Sequence, residues 1–170
     1  MLIKLYPAPA APDTLRPLPA GAQDSPDADS AAQHGADTVQ LRKPIGLEHD
    51  GIIAWVAQQF SPGWAGEVRV ALANRPVTLW IAARDHALLG FACFDATALG
   101  FFGPIGVATP WRGLGLGAEL LRACLYDMRS AGYGYAVAGA VGAPELFRRV
   151  AGATEIADST PGWYAQRLAP

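Results

Sequence analysis

Apolar positions recur at regular periods from Val39 onward and hardly at all before it. Val39-Gln40-Leu41-Arg42 alternates as a strand does, and Ile52, Ile53, Trp55, Val56 and Phe60 fall at helical spacing within 47–60. Ser61-Pro62-Gly63 stops that helix, and a shorter one is predicted over 64–73. Two β-rich runs, 77–84 and 88–96, meet across Asp85-His86 and read as a hairpin. The apolar run 101–109 is a strand interrupted by Gly103, Pro104 and Gly106, so it is expected to bulge or splay. The next helix carries Leu120, Leu121, Cys124, Leu125 and Met128 on one face and stops at Gly132. A small-residue strand over 135–141 follows, then a short helix from Pro144 to just before Gly152. Residues 154–156 and 163–168 read as a final pair of strands.

Ahead of this pattern, residues 2–6 suit a short strand. Residues 7–38 hold six Pro, nine Ala, five Asp, one Arg and no aromatic residue. Such a stretch buries too little apolar area to offset the entropy of ordering it. The chain therefore divides into 1–38, a short strand plus a flexible Pro/Ala/Asp-rich segment, and 39–170, the folded domain. With 170 residues, 51% of them hydrophobic and 16% charged, one core is expected.

A formal net charge of −2 gives no basic field for nucleic acid. No apolar run approaches the ~18 residues that a membrane helix needs, and the opening residues lack the h-region of a secretory signal. A cytoplasmic protein is expected. Cys93 and Cys124 lie in apolar runs, without CxxC spacing or a neighbouring His cluster, and read as reduced core residues rather than metal ligands.

The candidate chemistry lies at Arg112-Gly113-Leu114-Gly115-Leu116-Gly117. A strand that passes into a helix through glycines presents unpaired backbone N–H groups and the positive end of the helix dipole, which suits a phosphate. Spacing alone fits a plain tight turn equally well. A Walker loop would need Lys and Ser or Thr after its last glycine, where Ala118-Glu119 stand. A dinucleotide fingerprint would need an acidic residue about 20 positions on, near Tyr133.

Arg112-x-x-Gly115-x-Gly117-Ala118, preceded by Gly106-Val107 and followed by the amphipathic helix, resembles the Arg/Gln-x-x-Gly-x-Gly/Ala signature of the GNAT acetyltransferases. The element order from 39 to 168 is similar as well. The resemblance implies an α/β (α+β) fold: a mixed, mostly antiparallel sheet splayed at its fourth strand, with helices on both faces. It also implies acetyl-CoA as co-substrate. The backbone of Ile105, Gly106 and Val107 would pair with the pantetheine arm, and the loop from Arg112 through Gly113, Leu114, Gly115, Leu116 and Gly117 to Ala118 would take the pyrophosphate. The acceptor would be a small-molecule or protein amine attacking the thioester directly, and a homodimer is the family's habit.

Such a reaction needs a free amine, a donor for the developing oxyanion and a proton for the thiolate. By resemblance the Val107 backbone N–H is the oxyanion donor. Phe147 stands where the family often has a proton-giving Tyr, so it joins the cofactor-lining residues without a proton to give. Tyr164, Tyr135, a water or the solvent are the substitute donors, although core packing accounts for Tyr164 slightly better. Asp95 is the candidate base, or else an ordinary turn residue. Glu67 and His49 are weaker candidates on the first helical pair, and His86 is expected to be exposed. The alternative to an enzyme is an acyl-CoA-binding module with weak or no transfer.

Overall fold

The computed structural model describes residues 1–12, 15–17, 38–166 and 168. Seven strands form one sheet: β1 (Leu2–Lys4), β2 (Leu15–Pro17), β3 (Thr38–Arg42), β4 (Leu79–Arg84), β5 (Ala87–Phe94), β6 (Phe101–Val107) and β7 (Tyr135–Ala138), in the order β1-β7-β6-β5-β4-β3-β2. Every neighbouring pair is antiparallel except β6 with β7. Among the described residues four helices flank it: α1 (His49–Gln59), α2 (Pro62–Ala73), α3 (Leu116–Ser130) and α4 (Pro144–Ala151).

The alternation along the strands divides the core in two. Val39, Leu41, Trp80, Ala82, Ala92 and Phe94 point to the face covered by α3 and α4. Leu79, Ile81, Phe91 and Cys93 point to the face covered by α1 and α2. Both cysteines are free and buried, and burial pushes both thiols up from the ordinary range. Among the described residues no helix is long and apolar enough to cross a membrane.

Local chemistry fixes the element ends. The Ser61 hydroxyl accepts the Trp64 N–H at 3.1 Å, and Pro62 opens α2. Asp85 and His86 adopt φ of 47° and 68°, the two left-handed residues that a two-residue hairpin requires. Helix α1 starts at His49, because Gly46–Glu48 form a separate 3-10 turn that leaves Leu47 exposed. That turn is held by Glu48, whose carboxylate accepts from the two terminal guanidinium nitrogens of Arg42 and from the Ile45 N–H at 2.8 Å.

Two expectations at the ends of the chain need correction. The strand pair expected at 154–156 and 163–168 does not form: Thr154 makes one isolated bridge to Leu2, and Gly162–Gln166 form a 3-10 turn. The outer edge of β7 is already occupied by β1, in the register Leu2↔Val137, Ile3↔Ala136, Lys4↔Tyr135. Gly162, at φ 65°, turns the chain away from an extended path, and residue 167 lies outside the described residues. In the stretch read as flexible, Leu15–Pro17 pair with β3, while residues 13–14 and 18–37 lie outside the described residues.

Ile3 and Leu5 are fully buried in the core beneath α3. Ile3→Ala is therefore expected to cost about 2–5 kcal/mol in urea unfolding; wild-type stability would mean that β1 contributes nothing to the core. The Arg42 guanidinium holds the Glu48 carboxyl down at about 2. A depressed carboxyl stabilises the fold above its unfolded pKa, near 4.3, and loses that contribution as pH falls toward 2. Both side chains are partly exposed, so Glu48→Gln should cost only about 0.2–1 kcal/mol. Thermal melts should show this difference above pH 5 and see it shrink below pH 4.

Candidate active site

The site begins with one surplus residue in β6. Ala92 faces Ile105 and Phe94 faces Phe102, so Gly103 and Pro104 together oppose Cys93. This is a β-bulge, and Gly103 takes φ 116°, a region that favours glycine. The Cys93 thiol donates to the carbonyls of Gly103 at 3.4 Å and Pro104 at 3.7 Å. The bulge lets Phe102 and Ile105 pack toward the same side even though two residues separate them, a spacing that puts residues of a regular strand on opposite faces.

β7 leaves β6 at this bulge. The two strands pair only at Phe101↔Val137 and Phe102↔Ala138. Beyond them no described residue pairs with this edge of β6, and the ladder phase shows what the edge presents. The Ala108 N–H bonds to the Leu89 carbonyl at 2.9 Å, and Phe91↔Gly106 occupy the same phase two residues along. Antiparallel ladders alternate, so Ile105 and Val107 turn their N–H and C=O groups away from β5, into the cleft. The Arg112 Nε donates to the Val107 carbonyl at 2.9 Å, as this orientation requires.

The glycine loop continues from that edge. Thr109–Trp111 form a 3-10 turn, with the Arg84 guanidinium 4.5 Å from the Trp111 ring centre. Gly113 and Gly115 adopt φ of 80° and 84°, and Gly115 caps α3. Its carbonyl accepts the Ala118 N–H at 3.0 Å and the Glu119 N–H at 3.3 Å. The first-turn amides of Leu116 and Gly117 have no acceptor within the helix and face the loop. A Cβ at Gly117 would stand 3.7 Å from Leu146 and 3.8 Å from Val107, ordinary contacts, so packing does not demand glycine there. Gly90 is different: a Cβ there would lie 2.9 Å from the Gly106 carbonyl oxygen and 3.2 Å from Leu120, so its absence lets α3 settle onto the sheet.

On the opposite face an aromatic cluster closes over the cleft strand. The Phe60 ring stacks on Trp64 and lies where a Cβ of Gly106 would be, at 2.5 Å. Further along α2, Glu67 accepts the Thr97 hydroxyl, and Thr97 Oγ1 lies 3.3 Å from the Tyr164 hydroxyl. Tyr164 belongs to the 3-10 turn after α4; its ring covers Gly139, and neighbouring Trp163 packs on Phe101 with centroids 5.6 Å apart. Three separate segments thus meet where β6 and β7 part.

Other sequence candidates sit elsewhere. Phe147 is buried in the core, edge-on to Phe102, and presents no polar atom. His49 opens α1, and His86 is exposed in the hairpin turn. Tyr135 is on β7 with its hydroxyl against that of Tyr6 at 2.5 Å, away from this group. Asp95, at φ 54°, has both oxygens engaged: Oδ1 takes the Gly100 N–H at 2.7 Å and Oδ2 the Tyr133 hydroxyl at 2.9 Å. Burial first, then the Asp95 carboxylate, raise the Tyr133 hydroxyl above its usual value. Thr97 was missed in the sequence, because a lone threonine in Ala96-Thr97-Ala98 carries no pattern. Asp95→Asn and Tyr133→Phe should each lower the melting temperature, and the double variant should cost little more than the worse single. Simple additivity in thermal melts would remove this clamp.

The family model of the acetyltransferase (GNAT) family matches residues 49–152, which spans the cleft strand, the glycine loop and α1 to α4. No curated protein matches by sequence. Among solved structures, a GNAT-family N-acetyltransferase from Escherichia coli in complex with CoA superposes with TM-score 0.53 and 24% identity, over 66% of this chain and 67% of that one. A GCN5-related N-acetyltransferase from Sphaerobacter thermophilus gives TM-score 0.55 and 18% identity, over 88% of this chain and 45% of that one. One from Kribbella flavida gives TM-score 0.54 and 16% identity, over 67% of this chain and 32% of that one. This chain spans less than half the length of the latter two. The likenesses agree on the fold, with its mostly antiparallel sheet, and the family match covers the whole strand-loop-helix unit built above: the chain belongs to the GNAT acetyltransferase family.

Proposed function

We propose that this protein is an N-acetyltransferase that uses acetyl-CoA and passes the acetyl group to a primary amine, of a small molecule or a protein, by direct attack in a ternary complex. The observation that carries the reading is the continuity of the open β6 edge with the glycine loop. An extended arm bearing amides can add to such an edge as a strand does. Ile105 and Val107 would supply that pairing, with Gly106 between them bonded to β5. A pyrophosphate at the arm's end would meet the amides from Gly113 to Gly117 and the positive end of the α3 dipole. Arg112 adds a cation beside them, and Ala118, whose N–H is already bonded, shapes the turn.

The residues have room for this group at Gly113, where no described residue stands within 4 Å of a Cβ, while a Cβ at Gly117 would make only ordinary contacts with Leu146 and Val107. The Val107 N–H faces the cleft and is the oxyanion donor in this reading. Tyr164, whose hydroxyl reaches the fork of the two strands, is the proton donor in place of the aromatic hydroxyl that Phe147 lacks. Phe147 backs the cleft through Phe102.

A second reading, an acyl-CoA-binding module with little or no transfer, is favoured by Phe147 alone. Thiol release measured over a panel of amines separates the two: cofactor binding without turnover on any acceptor selects the module. For the loop itself, Gly117→Glu places a carboxylate in the phosphate site at a position of ordinary helical backbone. It should abolish acetyl-CoA binding by calorimetry while the melting temperature changes little. Unchanged affinity would defeat the assignment. Gly115 is less suitable, since its φ of 84° would strain any other residue.

A further inference from the structure

Resting on the transferase reading, we propose that Glu67, Thr97 and Tyr164 form one proton circuit, in which Glu67 takes the proton of the attacking amine and Thr97 passes it on so that Tyr164 can protonate the departing thiolate. The chemistry makes the two demands equal. As the C–N bond forms, the amine nitrogen must lose one proton; as the C–S bond breaks, the sulfur must gain one. Nothing is oxidised or reduced, so a wire that carries one proton from nitrogen to sulfur balances the reaction without solvent.

The three groups are connected in the required order. Thr97 donates its hydroxyl proton to Glu67, because an ionised carboxylate is acceptor only. That proton is then committed, so in the 3.3 Å contact Tyr164 is the donor and Thr97 the acceptor. At rest every hydroxyl thus points toward Glu67. Protonation of Glu67 reverses the direction: Glu67 donates to Thr97, Thr97 donates to Tyr164, and the phenol proton turns outward to the cleft. Each hydroxyl moves one proton, and the array returns to its starting charge once Tyr164 has given its proton up.

The position fits the task. Glu67 lies on α2 one turn beyond Trp64, whose partner Phe60 covers Gly106, and Tyr164 rests on Gly139 just past the last residue of β7. The array therefore flanks the fork from the α2 side, opposite the core beneath α3. Thr97 touches no reacting atom in this scheme and is a positioning and relay residue, whereas Glu67 and Tyr164 are the catalytic ones.

The experiment measures acetyl-CoA affinity by calorimetry and steady-state thiol release with spermidine, glucosamine, lysine and a peptide bearing a free N-terminal amine. Thr97→Val is expected to lower kcat on the best acceptor by about 100-fold, the usual scale of one acid–base group, with acetyl-CoA affinity unchanged. Thr97→Ser should recover most of that loss, which a purely structural staple would not predict. Glu67→Gln, which keeps the shape of its side chain, should show a similar loss if valine disturbs the loop. The double variant Thr97→Val/Tyr164→Phe should be no slower than the worse single, since members of one unit are not additive. Multiplying losses, or wild-type rates in Thr97→Val and Glu67→Gln, overturn the circuit and leave the transferase reading standing. A wild-type protein that binds acetyl-CoA but turns over no acceptor overturns both.

Discussion

Between the partner pairs at Phe94 and Ala92, β6 accommodates two residues where β5 has one, and the cleft depends on that mismatch. A regular strand would keep its alternation and could continue pairing with β7 along its full length. The surplus residue at Gly103–Pro104 resets the phase and ends the parallel ladder after Phe102. It also leaves the Ile105 and Val107 polar groups turned away from β5, with the Val107 carbonyl taken by Arg112. An unpaired strand edge is ordinarily a hazard in a folded protein, because it invites another chain. Here the edge lies between Phe60 and Trp64 over one face and α3 beneath the other.

The supporting structure is arranged around keeping that cleft close to the start of α3. Gly90 removes the side chain that would hold α3 away, and Leu116, buried at the first helical position, fixes where the dipole ends. Arg84, stacked on Trp111, braces the turn that delivers the loop. The positive φ values at Gly113 and Gly115 then shape the loop that leads into α3. These glycines serve different purposes: Gly90 and Gly106 yield space to protein atoms, Gly113 and Gly115 supply backbone geometry, and Gly117 sits where a Cβ would make only ordinary contacts.

Much of this was legible in the sequence, for reasons that can be traced to individual residues. The hairpin at Asp85-His86, the stop at Gly132 and the irregularity around Gly103-Pro104 are signals of local backbone chemistry, and local chemistry is what a sequence displays most directly. The glycine loop was readable for the same reason. The ends of the chain were not. Whether residues 154–156 and 163–168 pair depends on whether β7 has a vacant side, and that was decided by Leu2–Lys4, more than 130 positions away. Asp95 was read by its place next to a strand, whereas its engagement with Tyr133 comes from a loop 38 positions distant. The meeting of Glu67, Thr97 and Tyr164 is likewise a product of topology, with no spacing to announce it.

The pairing of β1 with β7 has a consequence for how this protein can change. Residues 2–4 close the outer side of the sheet, so the segment carrying Trp163 and Tyr164 has no ladder to maintain and no large buried surface to defend. Substitutions there would be felt at the fork of the two strands and scarcely in the core. The sheet's outer edge and the final turn are thereby placed in different parts of the chain, where each can drift under its own selection. A lineage with this arrangement could vary its final turn while the sheet and its β6 edge stay as they are.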